Sequence, residues 1–497
     1  MDESPSRIDR RTLLRAGAGA LALPLLGGAA AGATDQQAGY EPLDSIELDG
    51  AAEAVVNEDA TVAYVAVGSG FVSVDISDPS DLSILGDAAG LTDPDGDSVR
   101  EVLDVKYEND RVLVPTAAQN GGPRGIFVFD VSDPANPEQV GDWFETPSHG
   151  NHNSHLVDGV AYLTGGYDLD IIDVSGSSFE RLATWNPGDW SDEWAEIPPN
   201  TVLHDLYVQD GTAYCAYWDA GVFLVDVSDP ANPSFVGRKG DYTRAELEEL
   251  SQSKYLEPLG NDHYVTVNDD ASIMVEGGES WDTNPDDDEG GPSGLELFDI
   301  SDPANPQKLS AIDAPNSVSN TYRNGTWTTA HNFEIRGDRL YASWYQGGVT
   351  VHDVSDPENP ERIAWWADPD TYAFWTARTA VDGEFYVASG HQVGGVTSEG
   401  LVTFPDTAGE MDEVPSDVWW GESRPETATP TETATVRTEP TPTATETATP
   451  TPTATATETA TTEDDASTSA TPGFGILATL AGAGLAGARL LRQRNRE

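Results

Sequence analysis

The chain has 497 residues, and its 86 acidic and 25 Lys or Arg side chains give a formal net charge of -61 at pH 7. The acidic residues are spread along the chain, while lysine occurs only as Lys106, Lys239, Lys254 and Lys308. A surface of this charge repels nucleic acid and is too acidic for an ordinary cytoplasmic domain. It is typical of proteins from salt-loving archaea, where salt screens the repulsion between carboxylates. A general acidic extracellular protein is the alternative.

The N-terminal 33 residues have the pattern of an export signal. Arg10 and Arg11 precede a weakly apolar run at 16–31 that is rich in Ala, Gly and Leu. Ala31 and Ala33 then supply a cleavage site of the A-x-A type before Thr34. The run has no polar face, which argues against an amphipathic helix. Residues 1–33 resemble a twin-arginine signal peptide, and the resemblance implies export of a folded protein by dedicated machinery.

One motif recurs through the next part of the chain. An apolar strand ends at Asp, Val or Ile follows, and Ser-Asp-Pro then begins a turn, at residues 72–79, 127–134, 224–230, 297–303 and 350–357. A degenerate copy at 171–176 lacks the Asp-Pro. Pro fixes φ, and the Asp side chains bond nearby amides, so these Asp residues are predicted to form turns. Successive motif Asp residues stand 43 to 73 residues apart, and repeats of this size with β-branched and aromatic strands predict the blades of a β-propeller.

The motif and the second proline that follows most copies resemble the LVIVD repeat family. The second proline stands at the end of residues 134–137, 230–233, 303–306 and 357–360. The resemblance covers about residues 43–405, and it implies a propeller fold while implying much less about an activity.

The repeat predicts an all-β domain at 40–421, with seven blades of four strands each. Six blades are expected at 51–86, 100–144, 150–186, 201–238, 261–311 and 329–366. The seventh has three strands between 376 and 404, so a spare strand at 43–49 is predicted to complete it and close the ring. Two insertions depart from the template. They are a short helix capped by Thr243, within 239–259, and an acidic Gly-rich loop at 276–294.

Three histidines recur at one offset and are candidate metal ligands. Counting back ten residues from the tyrosine of a second strand reaches His152, His204 and His331, each followed by Asn or Asp. At equivalent positions of blades 3, 4 and 6 they would converge on the central channel, where imidazoles bind Zn, Cu or Fe. His149 and His155 are additional candidates. Alternatively, the His-Asn pair bonds the backbone of neighbouring blades. The corresponding residues Ala54, Leu103 and Thr376 make the ring of histidines incomplete.

Other segments offer weaker candidates. The acidic run 282–289 has the oxygen ligands that calcium prefers but lacks the spacing of an EF-hand loop, so a solvated loop is the alternative. Asn324 begins the only N-glycosylation sequon. A ligand cleft beside the channel is a further possibility for Trp327, Trp344, Trp365, Trp366 and Trp375. Cys215, the only cysteine, is expected to fill core space.

The C-terminal segments predict a stalk and an anchor. Residues 422–471 are rich in Thr, Pro, Ala and Glu and are predicted to be a disordered, extended spacer. Residues 472–497 begin with Pro472, Gly473 and Phe474, continue with an apolar run predicted to be helical, and end in an arginine cluster. This order resembles the PGF-CTERM sorting signal, which an archaeosortase removes while a lipid anchor is attached. A plain membrane helix is the alternative, with about 15–18 residues at the short limit for a span.

These features predict an extracellular protein anchored to the cell surface through its C-terminus. The first functional hypothesis is a binding or adhesion module for a surface protein, a glycan or a small ligand. The second is a metal-dependent extracellular enzyme that uses the histidines of the channel. The sequence contains no serine-nucleophile motif, phosphate loop or Cys-x-x-Cys.

Overall fold

The fold is taken from a computed structural model, which describes residues 37–421 and residue 424, except 118–121, 147–150, 197, 199–200, 251–253 and 287–288. The described part is nearly all β-structure. It contains two short α-helices, Pro187–Trp190 and Arg244–Glu249, and one turn of 3₁₀ helix, Asp192–Trp194. None of the described helices is long and apolar enough to cross a membrane.

Seven antiparallel sheets follow one another along the chain as blades 1 to 7. Blade 1 contains Ala51–Val56, Val62–Val67, Gly70–Asp75 and Ser83–Ala88. Blade 2 contains Lys106–Glu108, Arg111–Pro115 and Gly125–Asp130, and its fourth strand is two short pieces, Glu138–Gln139 and Phe144–Glu145. Blade 3 contains Ser154–Val157, Val160–Gly165, Asp168–Asp173 and Glu180–Trp185.

The remaining blades repeat this arrangement. Blade 4 contains Asp205–Gln209, Thr212–Ala216, Val222–Asp226 and Ser234–Lys239. Blade 5 contains Asp262–Val267, Ile273–Gly278, Leu295–Asp299 and Gln307–Ile312. Blade 6 contains Phe333–Arg336, Arg339–Ser343, Val349–Asp353 and Glu361–Trp366. Blade 7 contains Phe374–Val381, Phe385–Gly390 and Gly400–Pro405, and its fourth strand is Asp44–Glu47 from the N-terminal side.

The blades form a closed ring. The first strand of each blade contacts the first strand of the next, and that of blade 7 contacts that of blade 1, so the first strands surround the centre. Asp44–Glu47 pairs antiparallel with the third strand of blade 7, with Ile46 opposite Leu401. The predicted seven-bladed propeller closed by an N-terminal strand is therefore confirmed. This closure leaves blade 7 with the same four strands as the other blades.

The repeated motif ends the third strand of a blade in a hydrogen-bonded turn. In blade 4, Asp226 Oδ1 accepts from both the backbone N–H and the hydroxyl of Ser228, at 2.9 and 2.6 Å. The same arrangement occurs after the third strands of blades 1, 2, 3 and 6. The motif aspartates are thus turn-formers, as predicted from the sequence.

Apolar side chains pack between adjacent blades. Both faces of the inner strands are covered by neighbouring blades, which explains why strands such as Val62–Val67 are buried at every position. Between blades 4 and 5, Leu224 and Phe298 belong to one such cluster. Cys215 is fully buried in the cluster between blades 3 and 4, which confirms its predicted place in the core.

Charged groups are also buried between the inner strands. Glu53 of blade 1 accepts from Arg378 Nε of blade 7 at 2.8 Å and from Asn332 Nδ2 of blade 6 at 2.6 Å. In blade 2, Asp104 pairs with Lys106 and accepts from the Ser154 hydroxyl of blade 3. These contacts join blades around the centre of the ring and satisfy charges that burial alone would destabilise.

The segment after blade 7 returns over blade 6. Gly409–Glu410 pairs in parallel with the outer strand of blade 6, and Arg362 of that strand binds Glu410 at 2.6 Å. Val418–Trp419 pairs with Asn316–Ser317. The outer edge of blade 6 is therefore covered by the chain itself.

The insertion at 239–259 contains the predicted helix, Arg244–Glu249. Thr243 and Glu246 form a capping box at its start.

Candidate functional site

Four consecutive blades each place a histidine at the same position. In each of blades 3 to 6, the third residue of the second strand pairs with one residue of the first strand. The histidine lies three positions before that first-strand residue in the sequence. The histidines are His152, His204, His263 and His331. Because the first strands surround the centre of the ring, these four imidazoles converge there.

The imidazoles form a continuous arc. His152 Nε2 lies 3.2 Å from His204 Nε2. The ring centroids of His204 and His263 are 4.3 Å apart, and those of His263 and His331 are 4.4 Å apart. Trp375 of blade 7 continues the arc at 4.0 Å from His331, and His391 follows at 4.7 Å from Trp375.

These side chains line one cavity, whose space is about 670 Å³ including the part that is open to solvent. The wall contains Glu101, Leu103, Glu279 and all five of the histidines just described, from His152 to His391. The aromatic part of the wall consists of Trp281, Tyr322, Trp327, Tyr345 and Trp375. The cavity thus combines imidazoles, carboxylates and aromatic faces at the centre of the propeller, where ligand sites are commonly built.

Glu279 is the acidic group nearest to the arc of histidines. It follows the second strand of blade 5, and its Oε1 accepts the hydroxyl hydrogen of Tyr345. Its Oε2 lies 3.6 Å from His263 Nε2 and has no hydrogen-bond partner within the described protein. Burial raises the pKa of Glu279 to about 7, although the hydrogen bond from Tyr345 acts in the opposite direction.

Burial keeps the imidazoles neutral. It lowers the pKa of His152 to about 4 and that of His331 to about 3, and it lowers the pKa values of His204 and His263 further below the ordinary value. A neutral imidazole has one ring nitrogen with a free lone pair, which is the form that binds metals. His331 Nδ1 donates to Trp375 O at 2.7 Å, so Nε2 is its available nitrogen.

The sequence pattern missed His263. The turn between the first two strands of blade 5 spans residues 268–272, whereas the equivalent turn of blade 4 spans only residues 210–211. In addition, blade 5 has Val275 at the position where blades 3, 4 and 6 have the tyrosine from which the ten residues were counted. Counting ten residues back from Val275 therefore reaches Val265 and not His263. The similar longer turn of blade 1 makes Ala52 its equivalent residue, which corrects the expected Ala54. In blade 7, Val387 pairs with Arg378, so Trp375 is the equivalent residue, which corrects the expected Thr376. Aligning the strands by their Asp-to-Asp repeat and allowing turns of different length would have found His263.

The structure places His152, His204 and His331 in the wall of one cavity, and metal binding by these three histidines stays a prediction. Two contacts also fit the alternative role, in which the His-Asn pair bonds the backbone of neighbouring blades. Asn153 Nδ2 donates to His204 O at 2.7 Å, and His331 bonds the backbone of blade 7. The ring of histidines is incomplete because blades 1 and 2 hold Ala52 and Leu103 at this position.

The additional candidates have different outcomes. His155 is buried against Tyr207, with ring centroids 4.8 Å apart, and is not part of the cavity wall, which corrects its expected role. Trp327 and Trp375 line the cavity, whereas Trp344, Trp365 and Trp366 are packed in the hydrophobic core.

The surface and terminal candidates remain predictions. Asn324 is exposed on a turn with a φ of 62°, so its sequon is accessible. In the acidic run 282–289, positions 287 and 288 lie outside the described residues, and Glu289 binds Lys254. His149, Arg10, Arg11, Pro472, Gly473 and Phe474 also lie outside the described residues.

The sequence and the fold are both similar to those of known propellers. Residues 222–327 match the beta propeller domain model, and residues 61–88 match the LVIVD repeat model. No curated protein matches the chain. The fold resembles the β-propeller domain of Myceliophteria thermophila Cps50 (Swd1), with 8% identity, a TM-score of 0.50, and coverage of 74% of this chain and 100% of that one. A chain of the Mitotic Checkpoint Complex matches with 12% identity, a TM-score of 0.48, and coverage of 78% and 98%.

The seven closed blades define the class of protein as a β-propeller, and the two family matches support LVIVD-type repeats over the residues that they cover. At 8% identity, the structural likeness to Cps50 (Swd1) shows the fold alone. Propellers commonly mediate interactions, and the fold therefore fits a binding module.

Proposed function

We propose that this chain is an exported binding propeller, anchored at the cell surface, that takes a small cationic ligand into its central cavity. One observation carries the binding site. Buried polar atoms of residues in the cavity wall have no hydrogen-bond partner within the described protein, namely His204 Nδ1, His263 Nδ1, Glu279 Oε2, Trp281 Nε1 and Trp375 Nε1. Buried polar atoms are normally paired. A cation would bind the carboxylate oxygen and the imidazole lone pairs, whereas the indole N–H donors need an acceptor such as ordered water.

The charge of the cavity wall favours a cation. Its charged residues are Glu101 and Glu279, and no Lys or Arg contributes to the wall in the part of the chain that the structure describes. The aromatic faces of Trp281, Trp327 and Trp375 attract cations through the negative faces of their rings. The net charge of -61 raises the local concentration of cations around the whole molecule.

Tetramethylammonium is a suitable probe of the binding site, because it is small, cationic and attracted to aromatic faces. Titration followed by tryptophan fluorescence is expected to show saturable binding. Leu103→Trp, which fills part of the cavity, should weaken binding at least tenfold. Leu91→Trp is the matched control, because Leu91 is also partly buried but does not belong to the cavity wall. Equal binding by the two variants, or none by the wild type, would contradict a cation site in this cavity.

Support for the surface anchor comes from the sequence. Arg10 and Arg11 begin the export signal, residues 422–471 form the stalk, and Pro472, Gly473 and Phe474 begin the sorting signal. The stalk would hold the propeller away from the membrane, where its cavity meets extracellular ligands. The arginine cluster at the C-terminus fits retention at the cytoplasmic face until processing.

Truncation after Glu463 tests the anchor. The truncated protein is expected in the medium, whereas the full-length protein stays with the cells, as measured by immunoblotting of the two fractions. Mass spectrometry of the mature full-length protein should find that residues 489–497 have been removed. A mature protein that still carries them would instead show a plain membrane helix.

A further inference from the structure

We infer that His204, His263 and Glu279 bind one divalent transition-metal ion in the central cavity. This inference rests on the proposed function, because it names the cation that the cavity takes. Two imidazoles and one carboxylate are a donor set that binds zinc in catalytic sites and iron in oxygenases, with further coordination positions open to a ligand.

The distances bring the three ligands together. One ligand atom from each residue lies within 4.8 Å of the other two, and His263 Nε2 is 3.6 Å from Glu279 Oε2. Two ligands bound tetrahedrally at about 2.0–2.1 Å from one zinc ion are about 3.3 Å apart. Side-chain movements of about 1 Å would therefore bring the set to a metal-binding geometry. Among the described residues, this is the one group of three potential ligands that close together.

The hydrogen bonds leave the required atoms available. His204 Nδ1, His263 Nδ1 and Glu279 Oε2 are buried without a hydrogen-bond partner in the described protein. Three such atoms in neighbouring side chains are unusual, because each one costs free energy unless something binds it. A metal ion would bind Glu279 Oε2 and one ring nitrogen of each histidine.

Neighbouring residues fix the orientation of the ligands. His204 Nε2 and His152 Nε2 share a hydrogen bond at 3.2 Å, and in the tautomer in which His204 donates, the lone pair of His204 Nδ1 is left for the metal. Tyr345 holds the other oxygen of Glu279 by donating its hydroxyl hydrogen to Oε1. Metal-binding histidines and carboxylates generally have such partners, which set the ring orientation and the tautomer. His152 and Tyr345 are therefore positioning residues of this site.

Aromatic side chains lie in the same cavity wall as the three ligands. Tyr345 and Trp327, with ring centroids 5.4 Å apart, lie on the same wall as Glu279. A ligand that coordinates the metal would contact these aromatic faces. The site therefore fits a small ligand with one metal-coordinating atom and an apolar body.

Binding of Co²⁺ and Zn²⁺ to the full-length protein tests this site after removal of bound metal with a chelator. The wild type is expected to bind about one ion per chain, and Co²⁺ is expected to give the visible absorption of a low-coordinate site. Glu279→Gln and His263→Gln should each weaken binding at least 100-fold. Both variants have an uncharged polar side chain of similar size at the replaced position. Using two variants keeps the test valid if one of them fails to fold.

His155→Gln is the matched control, because His155 is partly buried in the first strand of blade 3 but lies outside the cavity wall. It should bind metal like the wild type, and Zn²⁺ should raise the melting temperature of the wild type and this control but not of Glu279→Gln. Failure of the wild type to bind either ion would overturn the metal site. Continued binding of tetramethylammonium would then show that the cation cavity itself still stands. Full metal binding by Glu279→Gln would overturn the assigned ligands.

Discussion

At the scale of single residues, a short polar pattern controls where each blade turns. The Asp of the motif accepts two hydrogen bonds from the Ser that follows two residues later, as Asp226 does from Ser228. These bonds lower the pKa of the carboxyl groups of Asp130, Asp173, Asp226, Asp299 and Asp353. The charged form of each carboxyl therefore stabilises the folded state.

This charge predicts an acid-dependent loss of stability. Each folded pKa lies below the unfolded value of about 3.9, so the stabilisation is present above that pH and is lost as the pH falls through the folded pKa. Replacing Asp226 and Asp299 by Asn should reduce the loss of stability between pH 5 and pH 2, measured by urea unfolding at each pH. Ser228→Ala keeps the carboxylate but removes one donor, and a smaller reduction is expected. An unchanged pH dependence in the Asn variants would contradict this role.

At the scale of strands, the ring depends on one buried ion pair between blades 7 and 1. Glu53 and Arg378 have side-chain exposures of 1% and 13%. Burial alone would raise the pKa of Glu53, but the charges of Arg378 and Lys106 and the hydrogen bonds from Asn332 and Arg378 together outweigh burial, and the pKa is lowered. The pair therefore remains ionised within the ring.

Removing one partner should be costly. Glu53→Gln leaves the Arg378 charge buried without its counter-ion and is expected to reduce the free energy of unfolding by about 3–5 kcal/mol. The exposed pair of Arg336 and Asp269 provides the control, since Arg336→Met should cost about 1 kcal/mol or less. Chemical denaturation measures both. Similar losses in the two variants would show that the buried pair has no special role.

The N-terminal strand has an equally defined role. Asp44–Glu47 covers the third strand of blade 7, so deleting residues 34–50 should expose that strand along its hydrogen-bonding edge. The deleted protein is expected to aggregate, as measured by light scattering at several protein concentrations. Deletion of residues 425–463 is the control and should leave the propeller monodisperse. A monodisperse, fully folded product of the N-terminal deletion would contradict this role in closure.

At the scale of the whole molecule, acidic charge controls stability. The formal net charge of -61 makes the compact state repel itself, and salt shortens the range of that repulsion from about 10 Å at 0.1 M to about 3 Å at 1 M. Two of the four lysines, Lys106 and Lys239, are buried beside carboxylates, which leaves few positive charges at the surface. The folded protein is therefore expected to need salt.

The melting temperature should rise with salt concentration. Calorimetry in KCl from 0.1 to 2 M is expected to show a large increase, with most of it below about 1 M, where the screening length changes most. Glycerol at matched osmolality is the control for general solute effects. A melting temperature that does not depend on KCl would show that repulsion between the acidic side chains does not destabilise the folded state.

The sequence by itself determined the repeat, the blade count and the closing strand. These follow from local chemistry, because alternating strands recur in every repeat and Ser-Asp-Pro turns in five of them, and the missing fourth strand of blade 7 has a counterpart at 43–49. The same local pattern placed His152, His204 and His331 at one offset. It could not place His263, since the longer turn at 268–272 shifts the count without changing the strand register.

Only the tertiary structure decided which side chains meet. Glu279 stands 16 residues beyond His263 in the sequence, yet Oε2 lies 3.6 Å from His263 Nε2 because antiparallel pairing returns the end of the second strand beside the start of the first. His155 follows His152 by only three residues, but it packs against Tyr207 and lies outside the cavity wall. Such contacts depend on the curvature and closure of all seven blades, and no local pattern contains that information.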